Sequence, residues 1–265
     1  MTKNLTSILF ISSSTLIAWL LSYLYHPLMI RYLSIEDFWS FQSVLSVLNL
    51  MWVFIAAIGL FYVKQVSKNI DNLEFSKGYR KLTLKYLWVL SCIVVSLFFI
   101  IIPLISMYLD IPYYYFLLLW FTIITSFLAI TNTAFLQSLH KFHIISSLIV
   151  WWSVMKLFIW FLLVYFGFGI FWALWGFIFS QLIVFLFWYY FLEKLFKNTV
   201  ITEINSKEIL SSFLKQKQQI LQYLATSILI ALFMNIDILI VKNIFDAETA
   251  GYYAAISVLA KFLVF

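Results

Sequence analysis

The chain is poor in charge, cysteine, proline and glycine. Of its 265 residues 11% are charged, and it has one cysteine, three prolines and six glycines. Ordinary soluble domains carry about 25% charged residues. This composition excludes nucleic-acid-binding, disordered and collagen-like proteins. The single Cys92 also excludes an internal disulfide and a cysteine metal cluster.

Apolar residues take the place of charge. They make up 65% of the chain, which has 29 Phe and 11 Trp residues and a mean hydropathy of +1.02. A soluble globule of this length could not bury so many apolar side chains, because much of its surface stays exposed. The sequence therefore predicts an all-α integral membrane protein surrounded by lipid, since helices satisfy their own backbone and no alternating barrel pattern appears.

Eight apolar stretches approach the length of about 20 residues that a helix needs to cross a bilayer. Five have no interior charge, and three carry one charge each, at Lys156, Asp237 and Lys261. The predicted spans are Leu5–Ile30, Phe38–Val63, Tyr86–Leu109, Ile111–Leu139, Phe142–Phe168, Ile170–Leu192, Gln219–Val241 and Ala250–Phe265. We therefore expect a polytopic helix bundle with seven full spans and an eighth cut short, as in a piece of a longer protein.

Basic residues collect at alternate connections between the spans. The second and sixth connections hold most of them: Lys64, Lys68, Lys77, Arg80, Lys81, Lys85, Lys194, Lys197, Lys207, Lys215 and Lys217. By the positive-inside rule these connections and the N-terminus are cytoplasmic. The amphipathic segment 205–221 is expected to lie along the inner membrane surface, or to be a solvated linker.

Two loops are similar to each other. Arg31–Phe41 follows the first span and Asn243–Tyr253 follows the seventh, and they align without gaps, with Glu36 on Glu248. Six spans separate them, so both lie on the same side, as expected for a parallel repeat of two halves. We predict a six-helix bundle over 1–192, a cytoplasmic amphipathic linker over 193–218, and the start of a second bundle over 219–265.

The two repeat segments also carry a family resemblance. Asn235–Lys261 resembles the start of the second half of polysaccharide-export flippases, in the multidrug, oligosaccharidyl-lipid and polysaccharide exporter superfamily. Ile30–Phe38, followed by Gly59 and Leu60, resembles their first-loop pattern. The resemblance implies a protein of about twelve or more spans that moves undecaprenyl-diphosphate-linked oligosaccharide, such as an O-antigen unit, outward by alternating access.

Three charged residues inside spans are candidates for function. Lys156 lies near the middle of the fifth span, where a cation costs about 2.5–3.5 kcal/mol and normally faces a cavity or a partner. In a flippase its partner would be the substrate diphosphate; an ion pair with Asp237 or snorkelling are the alternatives. Lys261 is a similar candidate. Asp237 is a candidate for proton or sodium coupling, or for pairing with Lys242.

Polar helix faces supply further candidates. Gln42, Ser46 and Asn49 follow an i, i+4, i+7 spacing in the second span, and Asn132 lies on the polar side of the fourth. We assign Gln42, Asn49 and Asn132 to substrate binding, although such residues are more often helix-packing contacts. His26, which precedes Pro27, is interpreted as an interfacial residue at a kink.

The sequence favours a transporter over an enzyme. It contains no P-loop, no His-x-x-x-His, no Gly-x-Ser-x-Gly and no metal-binding aspartate cluster, and no cofactor is implied. The alternatives are a drug or cation exporter of the same superfamily and, in another class, a membrane glycosyltransferase or polymerase.

Overall fold

The fold is a bundle of long helices. The computed structural model describes residues 2–68, 72–166, 169–197 and 217–264, and it has no strand among them. The helices are α1 Thr2–Tyr32, α2 Ile35–Ser67, α3 Leu73–Leu109, α4 Tyr113–Leu117, α5 Leu119–Ser138, α6 Phe142–Tyr165, α7 Gly169–Leu195, α8 Lys217–Ile244 and α9 Ala247–Val264.

Within the described ranges seven spans are long and apolar enough to cross a membrane, which confirms the predicted polytopic all-α fold. The fourth, Tyr113–Ser138, consists of α4 and α5 and is interrupted at Leu118. The eighth predicted span corresponds to α9. The structure extends α3 back to Leu73, so Arg80 and its neighbouring lysines belong to the first turns of a spanning helix. Of the predicted amphipathic segment 205–221, residues 205–216 lie outside the described residues.

Side-chain caps begin the helices that follow the two similar loops. Ser34 Oγ accepts from the Asp37 N–H at 3.1 Å, and Asp246 Oδ2 accepts from the Thr249 N–H at 3.0 Å. Ser34 and Asp246 occupy aligned positions of the proposed repeat, so the two loops share a capping geometry as well as a sequence pattern. The Thr249 N–H and hydroxyl bonds hold the pKa of Asp246 below its ordinary value.

The way the helices pack leaves an opening in the bundle. α1 packs mainly on α6 and has few contacts with α2, although α2 follows it in the chain. α2 packs instead on α8 and α5, and α6 packs on α7. The pair α1 and α6 therefore stands apart from the pair α2 and α8, and the candidate functional site lies between these pairs.

A cluster of aromatic rings closes the opening at one end. Trp160 of α6 is 1% exposed, and the centre of its ring lies 4.0 Å from the ring centre of Tyr25 and 5.2 Å from that of Phe41. Gly176 of α7 packs directly against Trp160, where a Cβ would overlap the indole ring. The absence of a side chain at Gly176 therefore sets how closely α6 and α7 approach.

We predict that Gly176→Ala destabilises the protein by about 1–3 kcal/mol, because the added methyl overfills a buried contact. Thermal unfolding in detergent, followed by tryptophan fluorescence, measures this effect. Phe179→Ala, at a side chain of the same helix that is 43% exposed, is the control and should change unfolding little. An unchanged or raised unfolding temperature for Gly176→Ala would contradict the packing at Trp160.

Candidate functional site

A cavity of about 770 Å³ lies between the helix pair α1 and α6 and the pair α2 and α8, with one contribution from α7. Both polar and aromatic side chains line it. They include Thr15, Trp19, Ser22, Tyr23, Tyr25, His26, Gln42, Ser46, Asn49, Trp52, Trp152, Ser153, Lys156, Trp160, Phe177 and Asn235. Its size is that of a site for a drug-sized molecule.

Lys156 supplies the positive charge of the cavity. Its ammonium donates a hydrogen bond to Ser22 Oγ at 3.1 Å, which joins α6 to α1. It also lies 5.0 Å from the ring centre of Trp152, 5.6 Å from that of Trp160 and 5.9 Å from that of Tyr25. Ring faces attract cations, so these contacts stabilise a charge in an apolar span. An ammonium has three N–H donors, and the bond to Ser22 uses one of them.

Amide side chains line the opposite wall. Gln42 is buried, and its Nε2 lies 2.8 Å from Nδ1 of His26, joining α2 to α1. Asn49 Nδ2 donates to Asn235 Oδ1 at 3.2 Å, joining α2 to α8. Asn235 Nδ2 in turn donates to the Ala231 carbonyl of its own helix at 2.9 Å. Both walls can therefore present hydrogen-bonding groups to a polar ligand.

Three of the predicted substrate-binding residues meet in this cavity: Lys156, Gln42 and Asn49. The fourth, Lys261, has its side chain outside the described part of the structure. The polar face of the second span thus points into the bundle, and it lines the same cavity as the cation of the fifth span.

The fifth predicted substrate residue, Asn132, lies elsewhere. It is fully buried in α5, and its Oδ1 accepts from Arg80 Nε at 3.3 Å. Arg80 Nη1 also contacts Glu193 Oε1 at 2.8 Å, and its guanidinium lies 5.2 Å from the ring centre of Tyr189. These contacts join α3, α5 and α7. Among the described residues Asn132 does not line the cavity, so its substrate role stays a prediction without support from this geometry.

Asp237 of α8 faces α9. Its carboxylate accepts from Ser257 Oγ at 2.6 Å and from the Tyr253 hydroxyl at 3.2 Å, so it connects α8 to α9. It is not among the described residues that line the cavity. Its predicted ion-coupling role stays a prediction, and the structure adds two hydroxyl groups to its surroundings.

Sequence reasoning missed His26 and Asn235 as cavity residues. The interpretation of His26 as an interfacial residue stays a prediction, and the structure adds that its ring bonds to Gln42 and lines the cavity. The helix continues through Pro27 to Tyr32. A signal was present: Thr15, Trp19, Ser22 and His26 recur at helical spacing and share one face of α1.

We predict that Arg80→Met lowers the free energy of unfolding by about 1–3 kcal/mol, because it leaves a buried amide without its partner. Glu193→Gln should cost less than about 1 kcal/mol, since the Glu193 side chain is 47% exposed. Unfolding in detergent measures both effects, and Lys81→Met at the exposed neighbour is the control. Equal stability of Arg80→Met and Lys81→Met would contradict a role of Arg80 in holding α3, α5 and α7 together.

The helices and the cavity together define a polytopic helical membrane protein. A family model described as polysaccharide biosynthesis protein matches residues 5–264. The chain therefore belongs to this family of polysaccharide biosynthesis proteins, in agreement with the family predicted from the two repeat segments. No curated protein and no solved structure matches the chain at a significant level.

Proposed function

We propose that the protein translocates a lipid-linked oligosaccharide of the undecaprenyl-diphosphate type across the bacterial cytoplasmic membrane. The observation that carries the proposal is the position of Lys156, a cation inside a spanning helix that lines a large cavity. A diphosphate is the part of such a substrate that most needs a positive partner away from water.

The other cavity residues suit a sugar head group. Sugar hydroxyls both donate and accept hydrogen bonds, and Gln42, Asn49 and Asn235 offer amide groups that do the same. The rings of Trp52 and Trp152 add apolar surface to the lining. A polar and aromatic cavity with one cation is thus suited to a ligand that combines sugars with a diphosphate.

Alternating access gives the proposed domains their roles. The six-helix bundle 1–192 and the second bundle that begins at 219 would be the two parallel halves, joined by the linker 193–218. The cavity fits this division, because α8 of the second half supplies Asn235 and Ile238 to a wall otherwise built by the first half. In this scheme Lys261 would add a second cation to the substrate site, and Asp237 would couple transport to an ion.

Orientation in the membrane is the first test of this scheme. In a Cys92→Ser background, Lys197→Cys should react with a membrane-impermeant thiol reagent only from the cytoplasmic side, because positive connections stay inside. Asp246→Cys should react only from outside. Labelling of intact cells compared with inverted vesicles measures both. The reverse pattern would exclude a cytoplasmic N-terminus and the inward-facing basic connections.

Replacing Lys156 is the test of the substrate. Lys156→Gln should weaken binding of a polyprenyl-diphospho-N-acetylglucosamine by about tenfold to a hundredfold, the value of a charge-assisted hydrogen bond. Lys156→Arg should lose less, since it keeps the charge in a different shape. Affinity is measured by calorimetry on protein in detergent, with Lys194→Gln at an exposed lysine as the matched control.

A cationic dye in the same assay tests the drug-exporter alternative. If the cavity binds cations, Lys156→Gln should bind the dye as strongly as the wild-type protein or more strongly, because a repelling charge has been removed. In that case the oligosaccharide proposal fails.

Equal affinity of Lys156→Gln and Lys194→Gln for the diphosphate lipid would also contradict the proposal. If Lys156→Gln unfolds and neutralising Asp237 restores it, Lys156 forms a structural ion pair instead. Sugar transfer to a lipid acceptor by the purified protein would indicate the glycosyltransferase alternative.

A further inference from the structure

His26 is an ionisable side chain in the cavity whose titration the proposed transport step does not use. Its ring is half-buried, lines the cavity, and lies 5.3 Å from the ring of Tyr25 and 6.4 Å from that of Phe38. Nδ1 faces the amide nitrogen of Gln42 at 2.8 Å. Because an amide N–H donates, Nδ1 is the acceptor here, and the proton of the neutral ring is on Nε2.

Gln42 can serve the protonated ring as well. An amide carries a donor and an acceptor on one flat group, so rotating it by half a turn presents Oε1 where Nε2 stood. A proton from solvent would then bind to Nδ1 of His26, and the resulting N–H would donate a hydrogen bond to Gln42 Oε1. The ring therefore has a hydrogen-bond partner in both charge states, from the same side chain.

Lys156 is the charge that acts on this ring. Its ammonium bonds to Ser22, and Ser22 precedes His26 by four residues on the same helix face, a spacing that places the Cβ atoms of the two residues about 5–6 Å apart. Two positive charges in the same cavity repel each other. The charge of Lys156 therefore favours the neutral form of the ring while no ligand is bound.

The other walls add no further charge near His26 among the described residues that line the cavity. α2 presents Gln42, Ser46 and Asn49, α7 presents Phe177, and α8 presents Met234, Asn235 and Ile238. Apart from Lys156 on α6, the ionisable lining residues are Tyr23 and Tyr25 of α1 itself. The charge of whatever binds beside Lys156 therefore has a direct effect on His26.

We propose that His26 is a proton-binding site coupled to the anion site at Lys156, so that a diphosphate ligand and one proton bind together. This inference rests on the proposed function. A dianion beside Lys156 offsets the repulsion that this ammonium exerts on a protonated ring, and by linkage the proton strengthens anion binding by the same factor. Such coupling favours the state in which the proton and the substrate are both bound. Exchange of a proton for the substrate across the membrane would instead require the two to compete for binding.

Proton uptake during binding is the direct test. The polyprenyl-diphospho-N-acetylglucosamine used above has a diphosphate esterified at both ends, with one strongly acidic group on each phosphorus, and these groups keep their charges between about pH 5 and 8, where histidine titrates. Calorimetry in buffers with different heats of ionisation counts the protons taken up per ligand. We expect uptake of up to about one proton, and binding about threefold to tenfold tighter at pH 6 than at pH 8.

Variants assign the proton to a residue. Uptake should disappear in His26→Gln and His26→Asn, and should persist in His143→Gln, at an exposed histidine that lines a different groove. It should also persist in Asp237→Asn. Uptake that persists in both His26 variants, or that is lost in Asp237→Asn, would overturn the proposal.

A second measurement separates this inference from the proposed function. The chain has three histidines, so nitrogen NMR of histidine-labelled protein can follow the His26 ring without ligand. Removing the cation in Lys156→Gln should increase the protonated fraction of His26 at a fixed pH near 6 to 7, the usual range of histidine. An unchanged fraction would overturn the coupling. If the fraction rises but the wild-type protein binds no diphosphate lipid, the proposed function fails and the linkage between His26 and Lys156 stands.

Discussion

The energy of a cation inside a membrane span is the constraint to which the described bundle is adapted. An isolated lysine at that depth is unfavourable by several kcal/mol, so Lys156 needs polar or aromatic neighbours, or water. The structure provides them by separating α1 and α6 from α2 and α8 and by turning polar faces of α1, α2 and α8 toward the gap. The cavity, its hydrogen-bonded walls and the aromatic rings around Lys156 follow from this one requirement.

The bundle accommodates the buried Arg80 in a different way. Arg80 has a carboxylate, an amide and an aromatic ring as partners, and these come from α5 and α7. Such contacts fix three helices relative to one another. Lys156, by contrast, is held by one hydroxyl and by ring faces, which leave hydrogen-bond donors available. A planar, many-donor guanidinium suits contacts that hold three helices together, and a compact ammonium suits the proposed substrate site, where a ligand would bind and leave.

Sequence reasoning predicted the spans well, because length and apolarity alone decide whether a helix crosses a bilayer. It also predicted the inward face of the second span from the spacing of Gln42 and Asn49. It could not distinguish these residues from Asn132, since a polar helix face shows which way is inward and not what lies there. Whether an inward-facing amide side chain lines a cavity or contacts a partner such as Arg80 depends on contacts between residues far apart in the chain. His26 was missed because Pro27 suggested a kink.

The cavity lies where the two proposed halves meet, and this position makes demands on its hydrogen bonds. The bond from Asn49 to Asn235 connects α2 of the first half to α8 of the second. Gly251 of α9 also packs against Ile35 of α2, so the two similar loops contact each other. If the halves rock around a bound substrate, the hydrogen bond between the Asn49 and Asn235 side chains has to break and form again. A net value of about 1 kcal/mol for such a bond is small enough to allow this, whereas the charge-assisted contacts of Arg80 do not involve the second half and can persist.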